Sequence, residues 1–264
     1  MADGGFAYAV ETADLTKRYG AKTAVDGLRL AVKEGELFSL LGVNGAGKST
    51  TIRMLTSLTA PTSGDAFVLG HSVIRERYEV RRLTGISPQE TAVAEKLTVE
   101  ENLRFMADVR SLDAERRERL TGELYELFSL GEVKKERAKT LSGGWKRKLS
   151  IAMALIGEPK VLFLDEPTLG LDVLARRELW RAVESLKGRV TVVLTTHYME
   201  EAEALSDRIG VMIGGRLAAV GTLSELEART GKKGLEEAFV ALASGGEKEA
   251  GIGLGSVGGG KEGL

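Results

Sequence analysis

Cysteine is absent from the 264 residues, which excludes disulfides and thiolate-held metals. Histidine is nearly absent: His71 and His197 are the only two, too few for a multi-histidine metal site. An excess of charge of one sign is also lacking, with 37 Lys and Arg against 38 Asp and Glu and a formal net charge of -1. Nucleic-acid binders usually carry a clear basic excess, so no nucleic-acid partner is expected. The start Met1-Ala2-Asp3-Gly4-Gly5 lacks the basic residues and apolar run of a signal peptide. Apolar runs such as Val161–Leu164 and Val190–Leu194 are far too short to cross a bilayer. A membrane role is therefore expected to be borrowed from a partner, with the cytoplasm as the expected location.

The chain is long enough to bury a substantial core, and 43% hydrophobic with 28% charged residues is ordinary for a soluble globular protein. Residues 6–41 alternate apolar and polar positions between turns at Gly20 and Lys33–Glu36, and read as short strands. Leu37–Leu41 reads as a buried strand running into a glycine-rich loop, Thr50–Leu58 as a helix, and Pro61-Thr62-Ser63-Gly64 as its break. From about Thr98 to Ile156 the chain reads as mostly helical, with Leu120, Leu124, Leu127 and Phe128 on one face. Val161–Leu164 and Arg189–Thr195 read as further strands, separated by a helix that turns Leu179, Val183 and Leu186 to one side. This alternation implies a mostly parallel sheet with right-handed crossovers. Ile209–Ile213 and Arg216–Val220 flank Gly214-Gly215 as a hairpin. Residues 244–264 are glycine-rich, contain no aromatic residue and read as a flexible tail after a domain covering 1–243.

Gly42-Val43-Asn44-Gly45-Ala46-Gly47-Lys48-Ser49-Thr50 fits G-x-x-x-x-G-K-[S/T], between an expected strand and an expected helix. Glycines let consecutive N–H groups wrap a phosphate, and the helix adds its positive N-terminal end. Lys48 is then placed for the β- and γ-phosphates and the Ser49 hydroxyl for Mg²⁺. A chance glycine-rich turn before a helix is the bland alternative. Asp165 and Glu166 end the second buried strand, where one carboxylate can hold Mg²⁺ and its neighbour can orient or deprotonate the attacking water. An acidic pair is otherwise a common polar start to a loop.

Leu141-Ser142-Gly143-Gly144, followed by basic residues and a helix expected to end at Pro159, resembles the signature motif of ABC ATPases. The resemblance spans roughly residues 6–225. It implies an α/β fold: a P-loop NTPase core with a mostly parallel sheet, a small antiparallel β subdomain, and a helical subdomain inserted at about 90–158. It also implies ATP and Mg²⁺ as ligands. Tyr19 corresponds to the aromatic that stacks on adenine, Gln89 to the switch-loop glutamine, Asp172 to the Gly170-Leu171-Asp172 loop, and His197 to the switch histidine. Lys48, Gln89, Glu166 and His197 become the catalytic group, and Ser49, Gln89 and Asp165 the metal ligands. Two such cassettes pack head to tail, so Ser142, Gly143 and Gly144 belong to the nucleotide held by the opposite glycine loop. Tyr19, Gln89 and His197 each have a plainer reading, as an exposed aromatic, a loop residue and a residue before a helix.

Val43 stands where this family usually has proline and Trp145 where it usually has glutamine. Val43 is expected to matter little. For Trp145, a silent substitution and an altered dimer seam both stay open. His71 reads as a surface residue, Trp180 as packing, and Lys134-Lys135-Glu136-Arg137 as a solvated helix end.

Val25-Asp26-Gly27, Ile86–Glu90, Thr195–Ala202 and Leu235–Phe239 look like the prokaryotic drug-exporter branch. That resemblance implies a separately encoded transmembrane permease, a second cassette and peripheral attachment at the inner membrane face. The alternative class is a soluble ABC-type ATPase acting on DNA or ribosomes, which typically carries two cassettes, a coiled coil or a zinc insert. A kinase or GTPase would leave the signature and His197 unexplained.

Overall fold

The structure, a computed structural model, describes residues 8–250. The chain opens with β1 (Val10–Tyr19), β2 (Lys22–Leu28) and β3 (Ala31–Val32), then enters the core through β4 (Leu37–Leu41) and α1 (Lys48–Leu55). It returns through β5 (Ser63–Val68) and β6 (His71–Ser72), and α2 (Arg77–Leu83) leads to β7 (Thr84–Ser87). Three helices follow: α3 (Val99–Val109), α4 (Ala114–Phe128) and α5 (Gly143–Leu155). The core resumes with β8 (Val161–Asp165), α6 (Val173–Glu184), β9 (Thr191–Thr196), α7 (Met199–Leu205), β10 (Arg208–Ile213) and β11 (Arg216–Gly221). Two helices, α8 (Leu223–Thr230) and α9 (Leu235–Ala250), end the described chain.

The central sheet has the order β11-β10-β4-β9-β8-β7, parallel except for the β10–β11 hairpin. β4 and β8 are buried at every position, as strands covered on both faces must be. The two-residue period divides β8 cleanly. Leu162 and Leu164 join a core with Leu120, Leu124, Phe128 and Leu179 from the helical side, while Val161 and Phe163 join Phe38, Ile52, Val10 and Val68 on the other. β1, β2, β3, β5 and β6 form the separate antiparallel sheet. α3 starts at Thr98, whose side chain forms a reciprocal capping box with Glu101.

Parallel pairing aligns the carboxyl ends of the strands. Leu41 pairs with Thr196 and Asp165 with Thr195, so the loops after β4, β8 and β9 meet at one edge. That edge is where open α/β sheets bind ligands.

Several boundaries differ from the sequence expectation. α1 starts at Lys48, two residues before Thr50, because the glycine loop itself winds into the first turn. α5 ends at Leu155 rather than at Pro159. α9 runs through Ala250, seven residues into the segment expected to be a flexible tail from 244. There Ser244 Oγ bonds back to Val240 O at 2.9 Å, and Glu247-Lys248-Glu249-Ala250 are strong helix formers that outweigh the glycines at 245 and 246. The remainder of that segment lies outside the described residues.

Candidate active site

The loop between β4 and α1 turns on Gly47, whose φ is 105°. A Cβ there would fall 2.4 Å from Ala24 O, so only glycine fits. The tight loop directs Lys48 inward. Its Nζ donates to Gly42 O at 2.7 Å and to Val43 O at 3.2 Å, and it pairs with Glu166 Oε1 at 3.0 Å while almost fully buried. Ser49 Oγ donates to Asp165 Oδ1 at 2.9 Å. Thr195 Oγ1 donates to the same oxygen at 2.6 Å, which fixes the Asp165 carboxylate at the end of β8.

Glu166 is a non-glycine residue with φ of 50°, a left-handed conformation that persists only where neighbours hold it. Its N–H donates to the backbone O and the Oγ1 of Thr195, each at 3.1 Å. Its carboxylate is gripped at both oxygens, with Lys48 at Oε1 and His197 Nδ1 at 2.6 Å from Oε2. His197 is therefore a partner of Glu166 and not the cap of α7, which starts after Tyr198 without a side-chain cap.

Lys48, Ser49, Glu166 and His197 line a cavity of about 480 Å³, whose wall also includes Tyr19, Asn44, Gly45, Gly47, Thr50 and Gln89, while Asp165 lies buried behind Ser49. Gly42 and Ala46 support the loop from behind: Lys48 bonds to Gly42 O, and Ala46 N–H closes the turn onto Val43 O at 3.1 Å. Tyr19 is 47% exposed at the end of β1, with Lys17 Nζ over its ring, 5.1 Å from the centroid. Exposed Gln89 lies two residues beyond the end of β7.

Ser142, Gly143, Gly144 and Asp172 do not line this cavity. Ser142 is exposed and caps α5 by accepting from Trp145 N–H at 3.5 Å. Asp172 caps α6 through Leu174 and Ala175 N–H, both at 2.9 Å. The two caps are neighbours, since a Cβ on Gly144 would lie 3.2 Å from the Cβ of Ala175. Trp145 turns away from this exposed face. Its ring packs on the helical core beneath Lys148 Nζ, 4.5 Å from the centroid, and Lys148 in turn pairs with Glu178 at 2.8 Å.

A profile of the family described as ABC transporter matches residues 25–169, more than half of the chain. The chain belongs to that family. It is 47% identical over 216 residues, 81% of its own length and 68% of the relative's, to the daunorubicin resistance ATP-binding protein DrrA3 of Streptomyces coeruleorubidus. It is 39% identical to the linearmycin resistance ATP-binding protein LnrL of Bacillus subtilis, covering 88% of this chain and 77% of that one. Among solved structures, an ATP-binding subunit of an ABC transporter superposes with a TM-score of 0.81 at 32% identity, covering 89% and 99% of the two chains. A dimeric ATP-binding cassette solved with ADP and Pi in a post-hydrolysis state gives 0.73 at 26% identity, over 81% and 98%. The cassette is thus the ATP-binding, ATP-hydrolysing subunit of a transporter, and no helix among its described residues is long and apolar enough to cross a membrane.

Sequence reasoning missed a second tier of buried polar groups beneath this site. Glu201 is fully buried in α7, and Trp180 Nε1 donates to its Oε1 at 3.0 Å, so Trp180 does more than pack. Burial pushes the Glu201 carboxyl above the ordinary glutamate range, opposed by the hydroxyls of Thr196 and Thr168 and the Trp180 indole. Arg147, in the first half of α5, is 4% exposed although it belongs to the basic run Lys146-Arg147-Lys148. Burial lowers its pKa, while the nearby carboxylates of Asp165 and Glu201 act in the opposite direction.

Proposed function

We propose that this cassette powers an exporter of drugs, lipids or similar amphiphilic cargo, working as a head-to-tail pair on a separately encoded transmembrane subunit. One observation carries the reading. The Gly42–Thr50 cavity holds the Glu166 carboxylate but no signature residue, while Ser142 and Gly143 stand exposed at the N-terminus of α5. Each half lacks what the other has, and a second cassette in opposite orientation supplies it.

Within one site, Tyr19 offers its ring to adenine, and the loop amides with Lys48 hold the β- and γ-phosphates. Ser49, Asp165 and Gln89 would hold Mg²⁺. All three offer oxygen donors, as a hard cation demands, and two already converge at 2.9 Å. Held there, the ion would supply positive charge against the negative charge that develops on the transferred phosphate. Glu166 acts as the base toward water. Because Lys48 occupies Oε1, phosphates entering the loop draw that ammonium away and free the oxygen that accepts the proton. His197 Nδ1 keeps Oε2 oriented, which leaves Nε2 as the ring nitrogen for the γ-phosphate. The signature of the partner closes on the same phosphate, and hydrolysis removes the contact that holds the pair shut.

Export is supported by the resistance functions in the names of the relatives. Docking on a membrane subunit is supported by exposed Tyr78 on α2 with Phe105 and Val109 on α3. Arg110 joins these helices by donating to Arg81 O and Thr84 O, both at 3.0 Å. Cell fractionation and vesicle transport test the reading. The chain should sediment with membranes, and inside-out vesicles containing it with its permease should accumulate daunorubicin on MgATP addition. Sedimentation with ribosomes or DNA in a membrane-free fraction would contradict it, as would ATP-driven release of the drug from loaded vesicles.

A further inference from the structure

Three consecutive basic residues open the first turns of α5 after the signature, and each goes elsewhere. Lys146 reaches Glu95 at 3.2 Å, and Lys148 reaches Trp145 and Glu178. Arg147 runs toward the segment that follows β7. One guanidinium nitrogen donates to Pro88 O at 2.7 Å and the other to Gln89 O at 2.6 Å. A planar fork matched to two successive carbonyls, removed from water, is a stiff joint. Two more contacts continue it along α5. Ser150 Oγ meets Ser87 Oγ at 2.9 Å, and a Cβ on Gly85 would fall 2.4 Å from Ala154 O, so β7 lies directly on the helix backbone.

We propose that Arg147 is the positioning residue that makes the switch segment ending in Gln89 and the signature helix α5 move as one body, and so links the two nucleotide sites of the cassette pair. Gln89 borders the cavity of its own chain. Ser142–Gly144 begin the helix that carries Arg147 and serve the cavity of the partner, so this inference rests on the head-to-tail reading. Displacement of Gln89 by the nucleotide in one site is passed through two hydrogen bonds to the turn that closes the other site. Neither Ser142 nor Gln89 needs to touch the other for this coupling, because a helix of 13 residues transmits the motion.

Arg147→Met keeps the length of the stem and removes both bonds. Arg147→Lys keeps the charge but offers its donors from a single nitrogen, and serves where the methionine chain is too unstable to purify. Nucleotide affinity in the open chain should stay within about twofold, since Lys48 and Tyr19 are untouched, while kcat should fall about tenfold. The Hill coefficient for MgATP should drop from ~2 toward ~1. A purely structural role for Arg147 would lower thermal stability without this split. Because the chain has no cysteine, spin labels at Glu34→Cys and Thr140→Cys report the movement of the signature end against the core. In a Glu166→Gln background, MgATP should shift that distance with Arg147 present and fail to shift it in either variant. An unchanged Hill coefficient overturns the proposal, as does the same shift in the variants or a parent distance that ignores MgATP. The underlying reading is checked separately by sizing the Glu166→Gln chain with ATP: a pair that forms while the variants remain cooperative overturns the joint alone, and no pair overturns both.

Discussion

The glycine loop and the signature turn each stand at a helix N-terminus, yet the chain surrounds only the first with organised polar side chains. Around the loop, Lys48, Ser49, Asp165, Glu166, Thr195 and His197 are joined by contacts of 2.6–3.1 Å and mostly buried. Around the turn, Ser142 and Gly143 face solvent and the nearest organised neighbour is another exposed cap, Asp172. A preorganised half-site costs little reorganisation when charge develops in it. An open half-site costs little to leave unused until a partner arrives, which is what a reversible closing device requires.

The largest effect that would break this contrast lies in the organised half. Lys48→Ala should abolish tight MgATP binding, read by equilibrium dialysis. Near-parent affinity would mean that the loop amides suffice without the ammonium. Glu166→Gln should slow hydrolysis by about 10²–10⁴-fold, the usual contribution of a general base, while ATP still binds and a closed pair accumulates on a sizing column. Parent-like turnover would assign water activation to another group.

Tyr19→Ala should weaken nucleotide binding by about 1–3 kcal/mol, equally for ATP and GTP, because stacking reads a ring face and not base edges. Unequal losses would show that base edges are read there. Trp145→Gln sharpens the contrast from the other side. Since the indole packs on the helical core and not on the exposed face, activity should hold while loss of the Lys148 cation–π contact and packing, about 1 kcal/mol, lowers the melting temperature by ~2–4 °C. Collapse of activity at unchanged stability would return Trp145 to the seam.

The smallest effect concerns Glu201. Its pKa is raised in the folded chain, so folding keeps a proton that the unfolded chain loses. The resulting stabilisation is full below the ordinary glutamate range and disappears as pH rises through the raised value. Glu201→Gln mimics the protonated form at every pH. Its melting temperature relative to the parent should improve as pH rises, and a constant difference would contradict a raised pKa in the folded chain.

Much of the organised half was legible in the sequence because its chemistry is local. Nine consecutive residues of one loop, and a carboxylate pair at the end of an apolar strand, already state the backbone geometry they need. Glu201 and Arg147 were not legible because nothing adjacent marks them as buried. Arg147 resembles one charge in a solvated run, and only the packing of α5 on β7 shows that its partners are carbonyls 59 and 58 residues away. The faint signal was its register, since Ile151 and Ala154, four and seven residues on, are buried on the same helix. Trp145 was open in sequence because a helix N-terminus has both an inner and an outer face. The extent of α9 was hidden by glycines, whose unfavourable propensity is overridden by good helix formers on either side.

Complementation tests the division of labour between the two halves most directly. Gly143 is the better place for a charge than Gly144, because a side chain at Gly143 meets open space whereas Gly144 crowds Ala175. A Gly143→Asp chain should bind ATP and not hydrolyse it, since its carboxylate faces the γ-phosphate of the partner. A Lys48→Ala chain is inactive for the opposite reason. A mixed pair contains one site with an intact loop facing an intact signature, so mixing the two inactive proteins should restore ATPase activity. Full activity in the purified Gly143→Asp chain, or no recovery in mixtures where mixed pairs demonstrably form, would contradict the sharing of each site between two cassettes.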